Sequence, residues 1–292
     1  MTIKKVAVIG AGLMGSGIAA QFANAGISVE LFDVNVEIAE KTIKALEKAA
    51  KKPGNAGGAM AALMHAKNIK YIRAGSSIDN TDRLGDCDLI IEAATEDPKI
   101  KSIIFKNIDK HRKQGSIVVS NTSTMPLKDL VADQSDALKK DFVIGHFFNP
   151  PRHMPLLEIV ISPQSDKEKM AHFGSFMRKR LGRDVIFCKD SPGFIGNRIG
   201  VFWIETAINE AYKYDLKIEE ADALMSKPIG VPNMGVFGLV DFVSLALMPH
   251  ISESFLSKLS PDDEYCKNHI ERDVINKMLE DGYVGKGDKI FK

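Results

Sequence analysis

Val6-Ala-Val-Ile-Gly10-Ala-Gly12-Leu-Met-Gly15-Ser-Gly-Ile-Ala-Ala20 decides how the rest of the chain is read. Its first four residues are apolar and mostly β-branched, the composition of a strand buried on both faces of a parallel sheet. The glycines at 10, 12 and 15 fit G-x-G-x-x-G and lead into a helix of about Met14 to Ala25, closed by Gly26. Gly10 permits the tight turn, Gly12 lets the backbone approach a pyrophosphate, and Gly15 lets helix pack closely on strand. Leu13 and Met14 lie at the start of that helix, whose N-terminus offers backbone donors and partial positive charge. A second strand, Val29 to Phe32, runs into Asp33, 23 residues after Gly10. A carboxylate there accepts both hydroxyls of an adenosine ribose and repels a 2′-phosphate. No Arg follows it to reverse that preference, so the unit predicts NAD rather than NADP.

Working outward, Val36 to Lys51 reads as an amphipathic helix, and Pro53 to Gly58 as a loop. Further strands are expected at Asp88 to Glu92, Ser116 to Ser120, Phe142 to His146, Leu156 to Ile161 and Asp184 to Phe187. Helices are expected at Lys99 to Arg112, opened by Pro98, and at Asp166 to Leu181. This alternation predicts an α/β fold with a mostly parallel, doubly wound Rossmann-type sheet. After Pro192-Gly193 the pattern becomes helical throughout, over Phe194 to Tyr214, Glu219 to Ser226, Phe237 to Leu259 and His269 to Asp281. The chain is therefore expected to divide into an NAD-binding domain, 1–189, and a helical C-terminal domain for substrate and dimerisation, 190–292.

A chain of 292 residues, 45% hydrophobic and 26% charged, is long enough for two domains with proper cores. Its 39 basic and 38 acidic residues nearly cancel, which gives no electrostatic reason to expect nucleic acid as a partner. Cys87, Cys188 and Cys266 lie far apart with no CxxC pair, so free thiols in a reducing cytoplasm are expected, and no metal site. Lys4 and Lys5 before an apolar run mimic a signal peptide. The glycines at 10, 12, 15 and 17 weaken the helix a signal needs, and none is expected. Val236 to Met248 is interrupted by Asp241 and too short for a membrane span.

The chemistry is carried further along. His146 ends a strand, and Glu158 lies on the next one, 12 residues on, across a proline-rich turn. Two strands joined this way can bring the side chains together, and a carboxylate on one ring nitrogen fixes the tautomer and raises the basicity of the other. A histidine at a strand end is by itself more often structural. Glu158 in an otherwise apolar strand demands a partner, and His146 supplies one. Ser120-Asn-Thr-Ser123 follows a buried strand, placing polar groups at the carboxyl edge, and reads equally as a turn before Pro126. Asn197, early in the helix after the boundary, reads equally as a cap or an exposed amide.

Together these segments resemble the 3-hydroxyacyl-CoA dehydrogenase family. The resemblance is carried by VAVIGAGLMGSGIA from Val6, DLIIEAATED from Asp88, SNTST from Ser120, GHFFNPP from Gly145, LLEIV from Leu156 and KDSPGFIGNRI from Lys189, in the family's order. MGVFGLVDFVSLALMPHI is most similar to the version found in multifunctional β-oxidation proteins that also carry an enoyl-CoA hydratase. The resemblance implies NAD-dependent, reversible oxidation of an (S)-3-hydroxyacyl-CoA to the 3-oxoacyl-CoA in fatty-acid β-oxidation. It implies His146 as general base paired with Glu158, and Ser123 and Asn197 holding the reacting oxygen and thioester region. Gly10, Gly12, Gly15 and Asp33 take the adenosine and pyrophosphate half of NAD. Glu96, Lys101, Ser123 and Asn149 match positions near its ribose and nicotinamide. A cytoplasmic homodimer is implied, with a hydratase domain or protein as an associate.

The chain also departs from that pattern. Lys48-Ala-Ala-Lys-Lys-Pro53 has no clean counterpart of the family's serine and lysine for the CoA phosphates, leaving Lys51 and Lys52 as candidates. Ser244 and Ala246 stand where relatives have Gly and Asp, and the ending Gly287-Asp-Lys-Ile-Phe-Lys292 differs from the family's glycine-rich close, as in an altered or truncated second domain. Two other readings stay open. One is a β-hydroxyacid dehydrogenase, which would need a lysine early in the helix after the boundary; none occurs between Asp190 and Tyr212. The other is a non-catalytic NAD-binding relative or an inactive fragment of a multifunctional protein.

Overall fold

The structure, a computed structural model, describes residues 2–52, 61–231 and 234–283. Its first compact unit, Met1–Ser191, is built on one eight-stranded sheet. β1 (Lys5–Ile9), β2 (Ser28–Asp33), β3 (Ile72–Ser76), β4 (Leu89–Glu92), β5 (Ile117–Ser120), β6 (Phe142–Phe147), β7 (Leu156–Val160) and β8 (Asp184–Cys188) line up in the order β3-β2-β1-β4-β5-β6-β7-β8. The central strands are the near-continuous apolar runs, with Val6, Ala7, Val8 and the Leu89–Ile91 stretch wholly buried, as strands covered on both faces must be.

The helices follow local signals. α1 (Leu13–Asn24) starts from the glycine turn, and α2 (Val36–Ala50) is capped by Asn35, whose side chain accepts the Ile38 amide. α3 (Pro98–His111) has proline in its first turn and Asp97 accepting the amides of Lys99 and Ile100. Two short helices, α4 (Leu127–Leu130) and α5 (Asp136–Asp141), precede β6. α6 (Lys167–Leu181) ends on Gly182 in the left-handed conformation.

All strand pairs are parallel except β6 with β7. Consequently the C-terminal ends of β1, β4, β5 and β6 share one edge, and the reversed β7 begins there. Ligands of such sheets sit beyond that edge.

The strand β3 went unread because Ile-Arg-Ala-Gly-Ser carries only one large apolar side chain; as one of the sheet's two edge strands, paired only with β2, it needs little more. The expected loop at Pro53–Gly58 lies outside the described residues.

The second unit, Pro192–Lys292, is helical where described. α7 (Gly196–Lys213), α8 (Ile218–Leu224), α9 (Gly235–Val243) and α10 (Leu247–Lys258) are followed by α11 (Glu264–Asn268) and α12 (Asp273–Glu280). Ile204, Ile208, Ala221, Val236, Val240 and Met248 form its core. Asp222 caps α9 by accepting the amides of Phe237 and Gly238 at 2.7 and 3.0 Å.

The expected single helix over Phe237 to Leu259 is two helices bent by 95°. Ser244 sits at the break with φ 135°, and Pro249 falls in the first turn of α10, where its missing N–H costs nothing; mid-helix it would break the ladder. Apolar periodicity ran straight through both. Among the described residues no single helix is long and apolar enough to cross a membrane.

Candidate active site

The glycine turn divides into two kinds of position. Gly10 has φ +103°, and a Cβ there would stand 2.5 Å from the Ala93 carbonyl oxygen. A Cβ on Gly15 would lie 1.8 Å from the Gly10 oxygen. These two glycines are required by the protein itself. Gly12 is different: a Cβ there meets nothing within 4 Å. The open space beside its backbone is what a closely approaching ligand needs. Leu13 is exposed in the first turn of α1, and Met14 packs against the core.

Asp33 ends β2 and is held by backbone donors. Its Oδ2 accepts the Ala11 amide at 2.7 Å, tying it to the glycine turn, and its Oδ1 accepts the Val34 amide at 2.8 Å. Beside it lies a cleft of about 700 Å³ walled by Gly10, Gly12, Ile78, Thr81, Ile100 and Ile103 among others. Its far wall comes from the segment after β3, which sequence reasoning missed along with the strand. The Asn107 side chain fixes this wall by donating to the Ser77 carbonyl at 3.1 Å. An apolar slot ending in an anchored carboxylate and an open glycine backbone fits an adenine, its ribose and a pyrophosphate.

Along the edge, β4 and β5 carry a buried polar network. Glu92 is fully buried and accepts from Lys101 Nζ at 2.6 Å, from the Ser120 hydroxyl at 2.6 Å and from the Ala94 amide at 2.8 Å. The Lys101 side chain, 1% exposed, also lies 3.5 Å from Glu96. Glu96 in turn accepts from the Thr122 hydroxyl at 2.9 Å and the Ser123 amide at 3.3 Å, so its exposed carboxylate is aimed by three neighbours. Lys101 thus spends its charge on two carboxylates. Glu92 was not singled out in the sequence, and Ser120 was placed at this edge without its partner; an acidic residue ending an apolar strand was the available signal.

His146 and Glu158 are directly opposed across the antiparallel β6–β7 pair. His146 Nδ1 and Glu158 Oε2 are 2.7 Å apart, and both side chains are buried. With the carboxylate on Nδ1, that nitrogen carries the hydrogen and Nε2 is the basic one. The Phe148 ring tilts against the imidazole at 4.4 Å between centroids. Cys188 Sγ lies 3.9 Å from the other Glu158 oxygen. Burial, then the Glu158 charge, pushes the Cys188 thiol up to about 11, and burial pushes Cys87 up to about 12, so neither is a nucleophile near neutrality.

Asn149 is exposed in the segment after β6, and Ser123 is half-buried beside Glu96. Asn197 is the second residue of α7 in the helical unit. Lys51 is exposed and paired with Glu47 at 2.6 Å, and Lys52 is exposed. The residues Gly287–Lys292 lie outside the described residues. Among the described residues no cluster of His, Cys, Asp or Glu is placed to hold a metal ion.

Known proteins give this arrangement a family. A model described as 3-hydroxyacyl-CoA dehydrogenase, NAD binding domain, matches residues 5–191, and its C-terminal domain counterpart matches residues 193–290. The chain belongs to the 3-hydroxyacyl-CoA dehydrogenase family. It is 36% identical over 291 residues to the "putative fatty acid oxidation complex trifunctional enzyme" of Rickettsia prowazekii, covering 97% of this chain but 39% of that protein. The chain thus spans about two fifths of the length of that relative. It is 31% identical to the human mitochondrial hydroxyacyl-coenzyme A dehydrogenase, covering 99% of this chain and 91% of that one. Among solved structures, (S)-3-hydroxybutyryl-CoA dehydrogenase PaaH1 from Ralstonia eutropha superposes with a TM-score of 0.79 at 29% identity, over 98% of this chain and 96% of that one. The family's NAD-binding domain coincides with the sheet that carries the glycine turn, Asp33 and the His146–Glu158 pair.

Proposed function

We propose that this chain oxidises (S)-3-hydroxyacyl-CoA to 3-oxoacyl-CoA with NAD, reversibly, as a step of fatty-acid β-oxidation. The observation that carries the reading is the 2.7 Å contact of His146 Nδ1 with buried Glu158, at the same sheet edge as the glycine turn. NAD supplies the hydride acceptor when bound.

The chain's own residues do the rest. Gly10, Gly12 and Gly15 with the first turn of α1 cradle the pyrophosphate, and Asp33 takes the ribose hydroxyls. Glu96, Ser123 and Asn149 hold the nicotinamide end, and Lys101 acts by orienting Glu96. His146 Nε2 removes the hydroxyl proton, and Glu158 stabilises the imidazolium that forms. Running backward, the same imidazolium returns the proton. Ser123 and Asn197 hold the reacting oxygen and the thioester region. We further propose that the chain works as a homodimer, through the helical unit, and beside an enoyl-CoA hydratase; the Rickettsia relative's name, a putative trifunctional enzyme, supports the second.

The test is acetoacetyl-CoA-dependent oxidation of NADH. His146→Gln is expected to lose roughly 10²–10⁴-fold in kcat while still binding NADH. Folded, NADH-binding wild-type protein that gives no turnover sinks the enzymatic reading. A His146→Gln variant with near-full activity removes His146 from it.

A further inference from the structure

Arg183 is the exception among the buried charges of the sheet unit. Glu30 is met by Lys5 and Arg83, Glu92 by Lys101, and Asp141 by Arg112 and Lys169. Arg183 is 5% exposed, and among the described residues no carboxylate lies within ion-pair distance of it. Burial pushes its guanidinium down from the usual value. Its partners are neutral: Nη1 donates to the carbonyls of Pro151 at 2.6 Å and Met154 at 2.9 Å, and Nη2 to Gln21 Oε1 at 3.1 Å. Nε has no partner, and the guanidinium lies 5.8 Å from the Phe147 ring centroid. Burying such a charge without a counter-ion is costly, and an apolar side chain of similar volume would fill the space more stably. Its geometry is what an apolar side chain cannot reproduce, because only a planar fork meets three acceptors on two separate elements at once.

Those two elements are the halves of the candidate site. Gln21 belongs to α1, the helix that rises from the glycine turn. Pro151 and Met154 belong to the segment that leaves β6, where Phe148 rests on His146 and Asn149 follows. The segment presses on α1 elsewhere too: a Cβ on Gly17 would lie 3.0 Å from the Pro151 ring. Arg152 fastens it a third time by donating to the Ala61 and Leu63 carbonyls. We propose that Arg183 is a positioning residue that clamps the Phe148–Pro155 segment to the cofactor helix and so fixes the His146 ring and Asn149 against the nicotinamide end. The inference rests on the function proposed above, and its test has a readout that does not.

Arg183→Met is compared with wild type in the full chain by three measurements. Hydrogen exchange at the His153 and Met154 amides, both bonded to the Pro150 carbonyl, is expected to quicken while exchange in β1, β4 and β5 is unchanged. Affinity for ADP, which reaches only the adenosine end, is expected to stay within about twofold, a few tenths of a kcal/mol by the usual conversion. Turnover of acetoacetyl-CoA is expected to fall on the order of 10²-fold, mainly in kcat, the scale of a 1 Å misplacement. In Arg183→Ala, which leaves the space open, added guanidinium should restore part of both the exchange protection and the rate, as no purely steric filler would. Unchanged local exchange overturns the clamp, as does a rate loss that tracks global stability and ignores guanidinium. If wild type binds NADH without turning over acetoacetyl-CoA, the proposed function falls, and exchange with guanidinium rescue still decides the clamp. Should Arg183→Met fail to fold, Gln21→Leu removes only the α1 end and is held to the same exchange, ADP-affinity and turnover outcomes.

Discussion

Replacing Gly12 by alanine separates what the glycine turn does for the protein from what it does for a ligand. Gly12 stands at the N-cap of α1 with φ −69° and ψ −167°, which any residue adopts, and a Cβ there touches nothing within 4 Å. Reduced freedom of the unfolded chain favours the alanine by ~0.4–1 kcal/mol. Loss of an N-cap preference opposes it by an amount of similar size. The net change in unfolding free energy is expected to lie within about 0.5 kcal/mol. Gly15→Ala sets the contrast: its Cβ would stand 1.8 Å from the Gly10 carbonyl oxygen, an overlap of two backbone segments, and a loss of at least ~2–3 kcal/mol is expected. For NADH the order is reversed in kind. The Gly12 methyl fills the space beside the turn, and weakening of about tenfold or more is expected, equivalent to ~1.4 kcal/mol. Urea unfolding and NADH fluorescence titration of both variants are sufficient. A Gly12→Ala protein that binds NADH like wild type would falsify the close approach at Gly12. One that unfolds as easily as Gly15→Ala would show the open space to be filled.

Glu92→Gln keeps shape but leaves Lys101 buried with only Glu96 at 3.5 Å, so a loss of ~3–5 kcal/mol is expected, largely recovered in Glu92→Gln with Lys101→Met. A single-variant loss below about 1 kcal/mol in urea titrations would show Glu96 to be a full substitute. Ser244→Gly relieves a φ of 135° and should raise unfolding free energy by ~1 kcal/mol; an unchanged or lowered midpoint in a urea titration refutes strain there. Burial alone would raise the Asp88 carboxyl, but bonds from Lys113 and the amides of Lys4 and Lys5 outweigh it and hold it below the usual range. Its contribution is therefore full above the unfolded value near ~3.9 and disappears as pH falls through the folded one. Asp88→Asn should flatten the acid limb of the stability profile below about pH 4, and a limb of unchanged steepness counts against this carboxyl.

Much of this was legible in order along the chain. Strand and helix periods gave the sheet, because its central strands are buried on both faces and read as unbroken apolar runs. The pairing of His146 with Glu158 could be anticipated because two strands joined by a short proline-rich turn have few ways to lie apart. The unread parts share a cause: they depend on partners distant in sequence. β3 is a strand because β2 offers it an edge. Glu92 is a polar hub because Lys101 reaches back from α3 and Ser120 arrives on β5. Arg183 binds carbonyls, and carbonyls leave no trace in residue identity. The bend between α9 and α10 was different, since Pro249 was visible and its meaning was overridden by the apolar period.

The reversal of β7 has a consequence for the order in which the molecule can assemble. The His146–Glu158 contact closes a chain segment 12 residues long. The β1–β4 pairing, which sets the cofactor edge, joins Val6 to Leu89. Loop-closure entropy makes the shorter closure cheaper by roughly 1.7 kcal/mol before any contact rewards it. For a full-length refolding chain this term favours early closure of the β6–β7 hairpin, and with it the His146–Glu158 contact, over the long-range β1–β4 pairing.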